Sequence, residues 1–201
     1  MTDNFLLLNE PRGPWLDADL LKQKFLALSA SLHPDKIHSA SDAEKNIAAK
    51  KFAELNAAYN SLLEPKSRLL HLLELELGAK PKDIQTIPSA LADLFAEVSM
   101  VCRSADGFLA EKSKVTSPLL QVQLFERGQD WVEKLNVLRR KLNELREKLT
   151  EELKSLDAQW ISTDAVSRKE ILPKLEELYR LLGYFNRWNG QIQERVLQLS
   201  F

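Results

Sequence analysis

Apolar residues in this chain recur at helical spacing almost from end to end. Leu21, Phe25, Leu28 and Leu32 fall at i, i+4, i+7 and i+11, which puts four side chains on one helical face. Ala48, Phe52, Leu55, Tyr59 and Leu62 repeat the 3.6-residue pattern. Between the two runs Pro34 ends the first helix, because it has no N–H and pushes its predecessor out of the helical region. Asp17 predicts an N-cap for the first run, and Ser41-Asp42-Ala43-Glu44 predicts a capping box for the second. The two helices form an antiparallel hairpin, the second ending near Leu63 before Pro65. A short apolar run, Phe5 to Leu8, precedes them, and Pro11-Arg12-Gly13-Pro14 marks a turn.

Further on, Leu69, Leu70, Leu72, Leu73 and Leu77 predict a helix over 66–77, apolar on more than one face and so buried on two sides as a bridge between lobes. Leu91, Leu94, Phe95, Val98 and Val101 predict another, loosened or ended by Ser104 to Gly107. Ser117-Pro118 reads as an N-cap with proline at the first helical position. Trp131, Leu135, Leu138, Leu142, Leu145, Leu149, Leu153 and Leu156 then step mostly by fours and threes, a heptad-like seam. Ser162-Thr163-Asp164 turns the chain, and Leu175, Leu178, Leu182, Phe185, Ile192, Val196 and Leu199 line the return, with Pro173 as a predicted kink or irregular start. No alternating strand pattern occurs. The expected fold is all-α: a helical hairpin lobe over 1–77 and, over 78–201, a bundle of about three helices with a long antiparallel hairpin.

Composition narrows the function. The chain has 201 residues, of which 44% are hydrophobic, enough for one or two domains with a real core. Its 28 basic and 29 acidic residues leave a net charge of −1, no reason to expect nucleic acid or an anionic membrane as partner. The lone Cys102 excludes an internal disulfide and fits the cytoplasm. Met1-Thr2-Asp3-Asn4 lacks the basic start of a secretory signal, and no stretch is long enough to span a membrane. His33, His38, His71 and Cys102 show no metal-ligand spacing, and there is no glycine-rich phosphate loop, so no cofactor or metal is expected. His71 reads as a packed histidine and Cys102 as core filler. Nothing in the sequence reads as an enzyme.

The chemistry concentrates in Leu32-His33-Pro34-Asp35-Lys36. Taken alone, His-Pro-Asp is also a plain helix-breaking turn with Asp35 capping locally. Its setting decides: Asn4 to Leu8, Leu16-Asp17, Phe52-Ala53-Glu54-Leu55-Asn56, Ala58-Tyr59, Leu62, Pro65 and Arg68 lie around it. A hairpin with that tip resembles a J domain, by which co-chaperones engage DnaK-type ATPase chaperones. Running directly into Leu69 to Leu73 and a second helical region, it is most similar to the HscB (Hsc20) family of iron–sulfur cluster assembly co-chaperones. The resemblance covers residues 4–77 and loosens afterwards.

The resemblance implies that the partner chaperone does the catalysis and that His33, Pro34, Asp35 and Lys36 touch it. Asp35 offers a carboxylate whose natural mate is an arginine, and Pro34 stiffens the loop, lowering the entropy lost on binding. Many J domains also carry several cations on the helix before the tip. Here Leu26-Ala27-Leu28-Ser29-Ala30-Ser31 carries none, which leaves Lys22 and Lys24 as expected chaperone contacts. Lys45, Lys50 and Lys51 on the next helix read singly as a solvated face.

The resemblance also implies an apolar and acidic client patch holding the iron–sulfur scaffold protein. The matching residues are Leu91, Asp93, Leu94, Phe95 and Glu97, with Phe185 from the last helix, although the dense Met/Glu run of the family is missing. At helical spacing the same apolar residues also read as bundle core. Two functions stay open: a co-chaperone that stimulates a DnaK/HscA-type ATPase and presents that scaffold, or a J-like helical adaptor that binds another protein through its C-terminal hairpin.

Overall fold

The computed structural model describes residues 2–30, 41–82, 87–164 and 166–200. The tip residues Leu32, His33, Pro34, Asp35 and Lys36, and His38 after them, lie outside the described residues. Seven α-helices and no strand are found among the described residues: α1 (Asn4–Leu7), α2 (Ala18–Ala30), α3 (Asp42–Leu63), α4 (Pro65–Leu77), α5 (Ala92–Lys112), α6 (Pro118–Ser162) and α7 (Arg168–Ser200). A single 3₁₀ turn, Ser89–Leu91, leads into α5.

Local chemistry sets most helix ends. Asp3 caps α1, its carboxylate accepting from the Phe5 and Leu6 amides. Asp17 does the same before α2, accepting from the Asp19 and Leu20 amides at 2.9 Å. Ser41 and Glu44 form the full capping box, each side chain accepting from the other's backbone N–H. Glu64 caps α4, with Pro65 at its first position, and Gly78 ends it at φ 71°, a conformation open to glycine without a Cβ clash.

The residues fall into two compact units, Met1–Lys82 with Glu151–Arg180, and Asp83–Thr150 with Leu181–Phe201. The sequence division at residue 77 follows chain order; packing does not. The far half of the α6–α7 hairpin belongs with the N-terminal helices, because the loop 11–16 is tied to it. The Trp160 indole N–H donates to the Arg12 carbonyl at 2.9 Å, and the Trp15 amide donates to Asp157 at 3.3 Å. Leu21 of α2, Leu55 and Leu62 of α3 and Leu69, Leu72 and Leu73 of α4 are buried in the same unit. α4 therefore lies wholly inside the first unit, with Leu77 exposed at its end.

In the second unit, Val98, Cys102, Ala105 and Phe108 of α5 meet Leu124, Leu135, Leu138 and Leu142 of α6 and Phe185, Trp188, Ile192 and Leu199 of α7. This is the three-helix bundle expected from the pattern. One expectation is corrected. α5 does not loosen at Ser104–Gly107 but continues to Lys112, since Ala105 and Phe108 extend its buried stripe and Gly107 sits on the exposed side. α7 opens at Arg168, placing Pro173 inside it, and the helix runs on past that residue.

Candidate functional site

Two helical arms bracket the segment that carries His-Pro-Asp. On one side α2 runs to Ala30; on the other, the Ser41–Glu44 box fixes the first turn of α3. The arms are locked together by side chains that the sequence pattern placed face to face. Phe25 stacks on Tyr59 with ring centroids 4.4 Å apart, and Leu21 of α2 and Ala48, Leu55 and Leu62 of α3 are buried. A stacked aromatic pair adds roughly 1 kcal/mol to its area burial, so it helps hold α2 against α3.

The base of this hairpin is held by a network of buried polar groups. Arg68, 3% exposed, donates from Nε to the Pro14 carbonyl at 3.0 Å and from an Nη to the Leu62 carbonyl at 2.6 Å. Burial pulls its pKa down to about 10, against the pull of Glu64 and Asp157. Burial also raises the Asp157 carboxyl above its usual range, despite the Trp15 amide and Arg68. His71 is buried and stacks on Phe5; its Nε2 accepts the Asn4 amide at 3.0 Å, and burial holds its pKa below the ordinary value. The reading of His71 as a packed histidine fits this position.

The two expected cations on α2 differ. Lys22 is exposed. Lys24 is engaged: its ammonium lies 2.9 Å from Glu10 Oε1 and donates to the Asn9 carbonyl at 3.2 Å. It clasps α2 to the turn after α1, where Asn9 takes a positive φ of 53°. That clasp was not visible in the spacing, since Glu10 sits fourteen residues upstream in a loop. Lys50 and Lys51 on α3 are exposed and Lys45 is half-buried.

In the second unit the expected client residues separate into two groups. Leu91 and Phe185 belong to the bundle core, 8% and 3% exposed, so the core reading holds for them and they offer no docking surface. Leu94 is half-buried against that core. Asp93 and Phe95 are exposed, and Glu97 accepts from the Lys141 ammonium at 2.6 Å. Phe95 leans on Trp188 at 6.2 Å between centroids. It opens onto a groove of about 490 Å³ lined also by Ser99, Arg103, Asp106, Gln191 and Arg195. Arg195 bonds Asp106 at 2.7 Å, which raises its pKa, and also donates to the Cys102 carbonyl. Burial raises the Cys102 thiol, as suits an inert core cysteine. Sequence reasoning missed Trp188 and the Arg195–Asp106 pair, because residues 89 positions apart carry no spacing signal.

Among the described residues no three His, Cys, Asp or Glu side chains are grouped to hold a metal ion, and no helix is long and apolar enough to cross a membrane.

No protein-family model matches the chain. The co-chaperone protein HscB homolog of Vibrio cholerae is 31% identical over 137 residues, which cover 62% of this chain and 80% of that protein. The homolog of Shewanella loihica is 38% identical over 61 residues, 30% of this chain and 35% of that protein. That of Paraburkholderia xenovorans is 36% identical over 80 residues, 38% of this chain and 46% of that protein. The match thus spans less than half the length of these last two relatives. Among solved structures, chaperone HscB from Vibrio cholerae superposes with a TM-score of 0.60 at 20% identity, covering 96% of both chains. Human co-chaperone HscB gives 0.61 at 19% identity, covering 96% of this chain and 82% of that one. At such identities the likeness is one of fold, and that fold is all-α. The extended match to the Vibrio cholerae protein decides the family: the chain belongs to the HscB co-chaperones.

Proposed function

We propose that this protein is a J-type co-chaperone of iron–sulfur cluster assembly, acting in the cytoplasm, which stimulates ATP hydrolysis by a DnaK/HscA-type chaperone and presents the cluster scaffold protein to it. The observation that carries the reading is the pair of capped, mutually packed arms α2 and α3, which bracket a ten-residue stretch (31–40) containing His33, Pro34 and Asp35. In this reading Asp35 meets a cation on the chaperone, His33 and Lys36 contribute beside it, and Pro34 limits the entropy lost on docking. The chain supplies no catalytic group; the partner's own ATPase does the chemistry.

The scaffold is assigned to the exposed edge of α5, where Asp93 is exposed, Phe95 is exposed while leaning on Trp188, and Leu94 and Glu97 flank them. Leu91 and Phe185 act there only by holding the helix in place.

A steady-state ATPase titration tests the first half. The full chain should stimulate purified DnaK or HscA, and Asp35→Asn should abolish the stimulation while leaving the far-ultraviolet dichroism unchanged. Stimulation of neither chaperone would leave only the helical adaptor. Loss of scaffold binding in Phe95→Ala, measured by calorimetry with ATPase stimulation intact, would separate the two ends of the molecule.

A further inference from the structure

The first turns of α6 carry an apolar face to solvent. Pro118 opens the helix, and Leu119, Leu120, Val122 and Phe125 follow at 72, 47, 60 and 50% exposure. At about 100° per residue, Leu119 and Val122 point away from Leu124 and Gly128, which are buried in the second unit, and Leu120 and Phe125 lie on the flanks. The chain between Lys114 and Glu126 carries no charge, in a protein of which 28% is charged. Exposed apolar residues scattered singly are ordinary. These four are contiguous and expose roughly 400 Å² between them, the size at which a patch marks an interaction site.

We propose that this stripe pairs α6 with a second copy of the chain, the two helices running antiparallel about a two-fold axis at Val122. A two-fold contact sets each residue near the axis against its own image, so a charge there would repel itself; an uncharged apolar stripe meets that demand. Antiparallel register about Val122 lays Leu119 of each copy over Phe125 of the other and stands Gln121 against Gln123. The same register carries the exposed Glu126 of each copy to the first turn of the other α6. There the amides without helical acceptors and the positive end of the helix dipole favour a carboxylate, and Lys114 lies just before them. Apolar burial thus falls at the centre and charge complementarity at the rim. With that rim the contact covers on the order of 1,200 Å² in total, the lower end for a specific interface, which sets the dissociation constant in the micromolar range. The association is independent of the co-chaperone reading, since it uses neither the tip nor α5.

Sedimentation equilibrium of the full chain from about 1 to about 200 µM tests it, a range that spans such a constant. The mean mass should climb from 23.0 kDa towards twice that value. Val122→Arg sets like charges face to face on the axis and should hold the chain at the monomer mass, with its far-ultraviolet dichroism unchanged. Val122→Glu should do the same. Mixed in equal amounts, the two variants should associate again, because residue 122 then meets its opposite charge across the axis. Val122→Cys should give a disulfide-linked dimer on mild oxidation, with the buried Cys102 as a silent background, and Ile161→Cys, at another exposed apolar position, should not. A chain that stays at the monomer mass throughout, or a dimer that Val122→Arg leaves intact, overturns the proposal. So does a monomeric chain in which Val122→Arg weakens the stimulation of DnaK or HscA, a result that gives the face to a different protein.

Discussion

Replacing Arg68 by methionine sets two opposing energies against each other at one buried site. Burial has drawn the guanidinium pKa down to about 10, a depression of more than two pH units. At about 1.4 kcal/mol per unit, keeping that charge inside costs on the order of 3 kcal/mol, which methionine would recover. Against this, the guanidinium makes two charge-assisted hydrogen bonds, to the Pro14 and Leu62 carbonyls. Each is worth roughly 1.5–3 kcal/mol, and each leaves behind a buried acceptor costing about 1–3 kcal/mol if nothing replaces it. The Leu62 carbonyl lies in the last turn of α3, where helix geometry supplies no donor and Pro65 has no N–H to offer. The second sum exceeds the first, so Arg68→Met should destabilise the first unit by about 3 kcal/mol. Hydrogen exchange read by mass spectrometry localises the effect: amides in the α3 C-terminal turn and the loop 11–16 should exchange roughly a hundredfold faster. Arg68→Lys should recover at most half, because a single ammonium cannot span both carbonyls as the planar fork does. If Arg68→Met stays within about 1 kcal/mol of the original, the desolvation cost has won and the carbonyls find other partners.

Two further perturbations probe the same unit. A Cβ at Gly13 would stand 2.6 Å from Asp157 Oδ1, so Gly13→Ala should lower the urea midpoint, and Asp157→Ala in the same chain should recover part of that loss. His71 is held neutral, its Nε2 accepting the Asn4 amide, so between its depressed folded pKa and the ordinary 6.5 the unfolded chain binds more protons. Its contribution is therefore complete above about pH 6.5 and lost as pH falls; urea midpoints from about pH 7.5 down to 5 should drop less steeply in His71→Gln.

How much of this was legible follows from the range of each interaction. The bounds of α3 were readable because a capping box and a proline act within a few residues of the ends they set. The all-α class was equally readable, since the 3.6-residue stripe is a local property. The end foreseen for α5 failed for a physical reason. A glycine on an exposed helix face costs only about 1 kcal/mol, less than is gained by burying Phe108 one residue further on. At Pro173 the chain gives up one backbone bond near the start of α7, while Ile171, Leu172, Leu175 and Leu178 around it stay buried. The return of residues 151–180 to the first unit could not be read at all. Trp160 and Arg12 are 148 positions apart, and no periodicity encodes such a pairing. The candidate sites divide the same way: spacing showed which α5 residues share a face, but only packing shows that Leu91 is inside and Phe95 outside.

Lys24 shows why an inventory of charges is a poor guide to a docking face. Counted along the sequence, it is one of two cations poised to meet an acidic partner. In the folded chain its ammonium is held by a carboxylate whose side chain is only 9% exposed, and by a backbone carbonyl in a turn that already takes a positive φ. Moving Lys24 out to a partner would strand Glu10 in that setting, a cost of the same order as any rim contact it could make. A loss of co-chaperone activity on substituting Lys24 would thus report a loosened turn at the base of α2, not a missing contact. Replacing Glu10, whose side chain is only 9% exposed, should produce the same loss. The charge a helix can offer to a partner is thus set by its contacts in the folded chain as well as by its sequence, and on α2 Lys22 is exposed while Lys24 is paired with Glu10.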